Sequence, residues 1–324
     1  MAAYAAACRA EIEQAGPAPA STVFVGGGTP SLLPAELLAS VLDAVPRQDD
    51  AEVTVECNPE NVTPELLAAY RAAGVTRLSF GVQSTAPHVL RALGREHDRG
   101  AVHRAVAVAR DAGFARWNLD LIFGAAGESV DDWRRTLDDV LALEPPHVSA
   151  YALTVEPGTP LALDAARHPD DDDQAEKYLV ADTALAVAGL HNYEVSNWAR
   201  PGHECRHNLL YWQQGDYRGI GCAAHSHAVG RRWWNVRTPE RYMAAIEAGA
   251  SPMAAEEVLD ADARALEALQ LALRTRRGVP RAALGLADDA LDGLVEPAEA
   301  DGHVRLTPRG RFLSGELSAY LGIG

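Results

Sequence analysis

The feature that most constrains this chain is a regular alternation of short apolar runs with helical stretches over its first 152 residues. Thr22 to Val25, Glu52 to Glu56, Thr76 to Val82, Trp117 to Ile122 and Val148 to Ala152 read as strands. Between them, helices are expected from about Pro34, from Pro64, over Pro87 to Leu93, Ala101 to Ala112 and Val130 to Leu143; proline is tolerated in a helix's first turn. Strands separated by helical crossovers return parallel, so the pattern predicts an α/β protein with a parallel sheet or barrel. A helix from Ala3 to Ala15, ended by Gly16-Pro17, precedes the first strand. A βα barrel normally begins on a strand, and here the Thr22 strand is left with an unpaired edge, so the expectation is a barrel lacking its first strand.

In such barrels, ligands gather at the carboxyl ends of the strands. Each strand here delivers polar or flexible groups to that rim: Gly26-Gly27-Gly28-Thr29-Pro30, then Glu56 and Asn58, then Gln83, then Asp120, then Tyr151 and Thr154. Any one of these has an ordinary explanation as a turn, cap or surface charge. Together they suit a small polar ligand. Glycines let it approach the backbone, carboxylates accept bonds from a ribose hydroxyl or an ammonium, and Arg95 can clamp a carboxylate. Those three groups describe an amino-acid nucleoside. The triple glycine lacks the following Gly-Lys-Ser/Thr of a phosphate loop and the spacing of a dinucleotide fingerprint.

Beyond residue 152 the pattern changes. Asp170 to Asp173 reads as a solvated acidic loop capping a helix from Gln174 to Ala188. A stretch dense in His, Trp, Tyr and Gly runs from His191 to Trp234. Helices are expected over Ala261 to Arg274 and Ala287 to Leu294, a hairpin at Gly302 to Leu306, and a last helix from Pro308, a small winged-helix-like α+β module. The expected domains are 1–165, 166–252 and 253–324. The net charge of -16 argues against nucleic acid. No apolar run reaches the ~18 residues of a membrane span, and the first residues lack the pattern of an export signal. A cytoplasmic location without stable membrane insertion is therefore expected. The four cysteines, Cys8, Cys57, Cys205 and Cys222, form no CxxC pair.

Several motifs resemble one family. Gly26-Gly27-Gly28-Thr29-Pro30-Ser31, Glu56-Cys57-Asn58-Pro59, Phe80-Gly81-Val82-Gln83-Ser84, Gly94-Arg95-Glu96-His97 and Asn118-Leu119-Asp120-Leu121-Ile122-Phe123-Gly124 are similar, in order and spacing, to motifs of the HemN/HemW branch of radical-SAM proteins. The resemblance implies a partial (β/α)6 radical-SAM barrel, with S-adenosylmethionine held by Gly27, Gly28, Thr29, Glu56, Gln83, Arg95, Asp120 and Thr154. His207-Asn208-Leu209-Leu210-Tyr211-Trp212 matches the HNxxYW motif of the HemW type. It implies haem contacts at His207, Tyr211 and Trp212 and a haem chaperone that passes its cargo to an acceptor protein. The alternatives are an oxygen-independent coproporphyrinogen III oxidase of porphyrin biosynthesis and a cluster-less pseudoenzyme that binds S-adenosylmethionine or haem. His225 and His227 form a second, weaker histidine pair.

One departure is large. The family's CxxxCxxC loop, which holds three irons of a [4Fe-4S] cluster, is missing, and Cys8 lies on a helix that normally follows it. No metal ligand is therefore expected within this chain, although the family binds the cluster. Either the loop and its strand are encoded upstream of Met1, which the unpaired Thr22 strand favours, or they were lost. A smaller departure is Ala125-Ala126-Gly127-Glu128-Ser129, where the family tends to have LPGQT.

Overall fold

A computed structural model describes residues 1–286 and 289–321. In chain order it runs α1 (Ala2–Ala15), β1 (Ala20–Val25), α2 (Ala35–Ala44), β2 (Arg47–Cys57), α3 (Pro64–Ala72), β3 (Arg77–Gln83), α4 (Pro87–Ala92), α5 (Arg99–Asp111), β4 (Arg116–Phe123), α6 (Val130–Leu141) and β5 (His147–Ala152). Then come α7 (Asp171–Val187), β6 (His191–Glu194), β7 (Asn197–Ala199), α8 (Arg206–Trp212), β8 (His225–Ala228), β9 (Arg231–Asn235), α9 (Pro239–Glu247) and β10 (Met253–Val258). The chain finishes with α10 (Ala261–Leu273), β11 (Val279–Pro280), β12 (Val295–Pro297), β13 (His303–Leu306), α11 (Pro308–Phe312) and α12 (Ser314–Leu321). Among the described residues, no helix is long and apolar enough to cross a membrane.

The chain divides into two compact units, each assembled from separate stretches of sequence. The first comprises Met1–Val55, Pro64–Thr76 and Cys205–Leu271. In it β1 pairs with β2 in parallel, Thr22 opposite Glu52 and Val25 opposite Val55. A separate antiparallel sheet places β9 between β8 and β10. Ala7 and Cys8 of α1 pack against Tyr242 and Ile246 of α9. Buried beside them, the Glu11 carboxyl accepts from the Tyr242 hydroxyl (2.6 Å), the Gly221 amide (2.8 Å) and the Asn235 side-chain amide (2.8 Å).

The second unit comprises Glu56–Thr63, Arg77–Glu204 and Ala272–Gly324. Its strands lie in the order β3-β4-β5-β7-β6. The first three are parallel, Gly81 opposite Asp120 and Asp120 opposite Ser149, and β7 and β6 complete the run as an antiparallel ribbon. Side chains alternate across a strand. Leu78, Phe80, Val82, Leu119, Leu121, Phe123, Val148 and Ala150 are all buried, and Phe123 meets Trp133 of α6 and Tyr178 of α7 at ring separations of 5.4 and 6.4 Å. Burying each large apolar side chain contributes about 1.5–3 kcal/mol. The opposite face carries Arg77, Ser79, Gly81, Asn118, Asp120, His147, Ser149 and Tyr151, and it forms the site described below. A small antiparallel sheet, β11-β13-β12, precedes α11, which Thr307 caps by accepting from Gly310 N (3.0 Å).

Four elements differ from expectation. The second strand begins at Arg47 rather than Glu52: Ala20 pairs with Arg47, the register then shifts so that Thr22 pairs with Glu52, and the exposed Gln48, Asp49 and Asp50 bulge between the two pairings. The acidic run is not a loop: Asp170 is the N-cap of α7, accepting from Asp173 N (2.9 Å), and Asp171 to Asp173 form its first turn. Asp173 also pairs with the ammonium of Lys177 (2.6 Å), the chain's one lysine, whose side chain is fully buried; a buried cation needs such partners. Strand β10 has every residue exposed and so shows no apolar signature. It is held by backbone pairing and the cross-strand pairs Arg231–Glu256 (2.6 Å) and Arg232–Glu257 (3.3 Å). The helix expected over Ala287 to Leu294 falls partly outside the described residues; from Asp289 to Leu291 the backbone makes a 3-10 turn and then enters β12.

Removing the Glu11 carboxyl takes the acceptor from the Gly221 amide, the Tyr242 hydroxyl and one hydrogen of the Asn235 amide, whose other hydrogen stays on Gly221 O; a buried donor left unmade costs about 1–3 kcal/mol. Glu11→Ala should lower the unfolding free energy by about 3 kcal/mol or more, read as a drop in urea midpoint with little change in denaturant slope.

Candidate functional site

In the second unit, the site begins where β3 and β4 end. Gly81 lies opposite Asp120, and the register breaks between Gly81 and Gln83. A Cβ placed on Gly81 would meet Gln83 Nε2 at 3.0 Å and Asn58 Oδ1 at 3.8 Å. The glycine thus leaves a cradle beneath two polar side chains, on the sheet face that Asp120 shares. Asn58 accepts from the Arg95 guanidinium (3.4 Å). Gln83 itself has a left-handed backbone, φ 64°, uncommon for a residue with a side chain. Asn58, Gln83 and Arg95, distant in sequence, are therefore brought into contact, with Asp120 on the neighbouring strand. Glu56 is two residues before Asn58 at the end of β2, half-buried.

Asp120 is held from behind. Ser79 Oγ donates to Asp120 Oδ2 (2.8 Å) and Asn118 Nδ2 donates to Oδ1 (2.7 Å). Asn118 Nδ2 also lies 2.8 Å from Ser79 Oγ and 2.9 Å from Ser149 Oγ, and its carbonyl oxygen meets His147 Nδ1 at 2.6 Å. Because that oxygen only accepts, the proton of His147 is on Nδ1. Its Nε2 then accepts from the Tyr193 hydroxyl (2.8 Å). Burial holds His147 neutral, with its pKa well below the usual histidine range. Burial also raises the Asp120 pKa, against the pull of the bonds from Ser79, Ser149 and Asn118. Tyr151, at the open end of the same row, is likewise pushed up by burial and then by Asp120.

Thr154 lies just beyond β5, exposed, its hydroxyl donating to Ala152 O (3.4 Å). Its segment is fixed by Leu153, whose amide bonds Phe123 O (2.9 Å) and whose carbonyl accepts from Gln174 (2.9 Å). Gly27 and Gly28 belong to the first unit and are exposed, with φ of 85° and 62°. A Cβ at either position would touch nothing within 4 Å, so the glycines answer the left-handed backbone rather than crowding. Thr29, after them, opens the 3-10 turn Pro30–Leu32.

The second predicted site lies wholly in the first unit. On α8, the half-buried His207 ring stacks on Phe24 at 5.3 Å; its Nδ1 lies 2.8 Å from Thr22 Oγ1 and its Nε2 3.0 Å from the Tyr211 hydroxyl. Tyr211, 41% exposed, meets Tyr217 edge-on at 4.6 Å, and Tyr217 stacks on His227 at 5.9 Å. Burial raises both phenols. Trp212, the last residue of α8, is half-buried and joins none of these ring contacts. His227 pairs its Nδ1 with Gly215 O (3.1 Å), while its Nε2 accepts from Gly230 N (3.1 Å). His225 stacks on Trp234 instead. The two histidines that alternate along β8 thus have different partners, and His227 has no nitrogen to spare for a metal.

The donor set fits S-adenosylmethionine: a guanidinium for the carboxylate, carboxylates and an amide for ammonium and ribose, and the Gly81 cradle. It does not fit a [4Fe-4S] cluster. Among the described residues, no three His, Cys, Asp or Glu side chains gather as metal ligands. Burial pushes the Cys57 thiol up to about 12, with Glu56 adding to it, and the Cys8 thiol up to about 11. Sequence reasoning passed over Ser79, His147, Ser149 and Asn197 as supporting residues. The signal was present: polar residues at alternate positions on three successive strands cannot all face an oily core.

A family model for the Radical SAM superfamily matches residues 5–140. The heme chaperone HemW of Mycobacterium tuberculosis (strain H37Rv) is 46% identical over 324 residues, spanning 95% of this chain and 83% of that protein. The heme chaperone HemW of Escherichia coli K12 is 35% identical, spanning 93% and 84%. Among solved structures, the coproporphyrinogen III oxidase HemN of Escherichia coli superposes with a TM-score of 0.84 over 98% of this chain and 82% of that one, at 22% identity. At that identity the likeness shows the fold alone: an α/β, HemN-like radical-SAM architecture.

Because its pKa is raised, Asp120 keeps its proton to higher pH in the folded chain than in the unfolded one. Its contribution to stability is therefore fully present below the unfolded value and declines as pH rises from there to the displaced pKa. Relative to the parent, Asp120→Asn should gain unfolding free energy as pH rises above about 4, measured by urea unfolding over a pH series.

Proposed function

The chain belongs to the HemW family of radical-SAM proteins, and on that premise we propose that it is a haem chaperone, binding haem and passing it to an acceptor protein. The observation that carries this reading is the setting of His207. Its imidazole is fixed in plane by Phe24, Thr22 and Tyr211 on a short helix whose face is partly open, with Tyr211 exposed. An imidazole can ligate haem iron, and flanking tyrosine and tryptophan rings can cover a porphyrin face. Tyr211 and Trp212 take that second role in this reading. The partner is a protein that receives haem, and the place is the cytoplasm.

The strand-end cluster supports S-adenosylmethionine as a second ligand. Arg95 takes its carboxylate, Gln83, Glu56 and Asp120 take its ammonium and ribose hydroxyls, and Thr154 faces it with its hydroxyl. When bound, this ligand supplies a sulfonium centre. The chain's own residues bind and orient it. The coproporphyrinogen oxidase reading rests on likeness of fold, whereas the haem chaperone reading is also supported by relatives 46% and 35% identical.

Mixing the protein with haem should give a ligated Soret band, and His207→Ala should abolish or shift that band. Asp120→Asn and Arg95→Ala should keep the band and weaken S-adenosylmethionine in calorimetric titration. A Soret band unchanged in both His207→Ala and His207→Ala/Tyr211→Phe would overturn the haem assignment.

A further inference from the structure

His97 is buried, 7% exposed, in the stretch between Arg95 and α5. Its Nε2 lies 2.8 Å from the carbonyl oxygen of Val82, so this nitrogen carries the proton and donates. Val82 O is also the acceptor for Ser84 N, at 2.8 Å, across the left-handed Gln83. These three residues close a γ-turn of the rare strained type, with positive φ at its centre. Such strain persists only where surrounding bonds impose it, and it collects at ligand sites. Here the bonds come from two sides. Thr136 of α6 sits 3.2 Å from both Ser84 Oγ and Thr85 N, and Asp139 accepts from Thr85 Oγ1 at 2.8 Å. The other side is His97.

Its position is itself fixed. The next residue, Asp98, is the N-cap of α5, accepting from Ala101 N at 2.7 Å. Arg95, two residues before, is anchored through its amide to Leu90 O (2.9 Å) and reaches Asn58. The His97 Nδ1, buried and without a hydrogen bond, faces Glu60 Oε2 at 3.7 Å. Glu60 lies in the 3-10 turn that follows Glu56 and Asn58. One imidazole therefore stands where three segments meet, and each carries a residue of the strand-end cluster.

We propose that His97 is a positioning residue for S-adenosylmethionine, holding the strained Gln83 turn in register with Arg95 and Asn58 without touching the ligand. This rests on the reading of Gln83 and Arg95 as contacts for that ligand. The chain's own donor does the work: without it, Val82 O keeps one partner, the turn can relax toward ordinary extended backbone, and the Gln83 amide leaves the cradle above Gly81.

The test compares His97→Leu, which removes the donor, with His97→Gln, whose Nε2 can reach the same carbonyl. Calorimetric titration with S-adenosylmethionine should show binding weakened about tenfold in His97→Leu, the factor for one lost buried hydrogen bond, and largely restored in His97→Gln. The haem Soret titration should be the same in all three proteins. Hydrogen exchange at the Ser84 amide, read without ligand, should accelerate in His97→Leu and return toward the parent in His97→Gln. If His97→Leu does not fold, His97→Asn, with an amide too short to reach Val82 O, takes its place. Parental affinity together with parental Ser84 protection overturns the proposal. If the parent protein binds no S-adenosylmethionine, the ligand assignment falls, and Ser84 exchange alone then decides whether His97 holds the turn: selective loss with rescue supports it, unchanged protection refutes it.

Discussion

The arrangement depends on one constraint: the polar face of β3, β4 and β5 must satisfy its own hydrogen bonds. Asn118 sits at the crossing, bonded or adjacent to Ser79, Asp120, His147 and Ser149 on three strands. Ser149 in turn donates to Asn197 at 2.7 Å, and Asn197 meets Glu194. A buried polar group left unmade costs about 1–3 kcal/mol, and a domain's whole margin is about 5–15 kcal/mol. Losing a few of these bonds would exceed what the fold can spare. The interior face is therefore rigid before any ligand arrives, and it opens only at the strand ends, where Asp120, Asn58 and Arg95 are half-buried. Rigid support of this kind lowers the cost of binding.

The same logic explains why the fold was easier to read than its support. Apolar runs with helices between them are a periodic signal, and each of the five strands expected before residue 152 is present, with ends displaced by one or two residues apart from the early start of β2. Gln83 and Asp120 stood out because charged or amide groups at strand ends are unusual, and Arg95, between α4 and α5, because a guanidinium can clamp a carboxylate. Their supports did not, because a serine or histidine inside a strand looks ordinary until its neighbours on the next strand are known. Ser79, Asn118 and Ser149 come together only through the parallel register. His97 was visible within a motif, yet its partner is a backbone carbonyl, and no sequence pattern marks which carbonyl a side chain will find.

Where the reading failed, backbone or long-range charge decided. Strand β10 buries nothing, so hydropathy cannot detect it, and β9 dictates it through main-chain bonds and two arginine–glutamate pairs. The acidic run became helical because Asp170 caps it and because the dipole at a helix start favours aspartates. Lys177, buried one turn later, gives Asp173 a partner that a solvated loop would not.

Under the haem chaperone reading, one feature of the first unit suits reversible holding better than permanent attachment. His207 Nε2 already has a partner in the Tyr211 hydroxyl at 3.0 Å, and Nδ1 has Thr22 Oγ1 at 2.8 Å. A nitrogen that leaves iron is then not left unsatisfied, since the phenol waits within hydrogen-bond reach. The exchange replaces one interaction by another, so release is eased by the worth of one hydrogen bond, about 0.5–1.5 kcal/mol. A ligand held by a histidine with no competing partner would pay the full cost of an orphaned nitrogen on release. Tyr211 is exposed, and its ring meets Tyr217 edge-on at 4.6 Å. A carrier that must surrender its cargo to another protein needs that balance, whereas a catalyst retaining its prosthetic group does not.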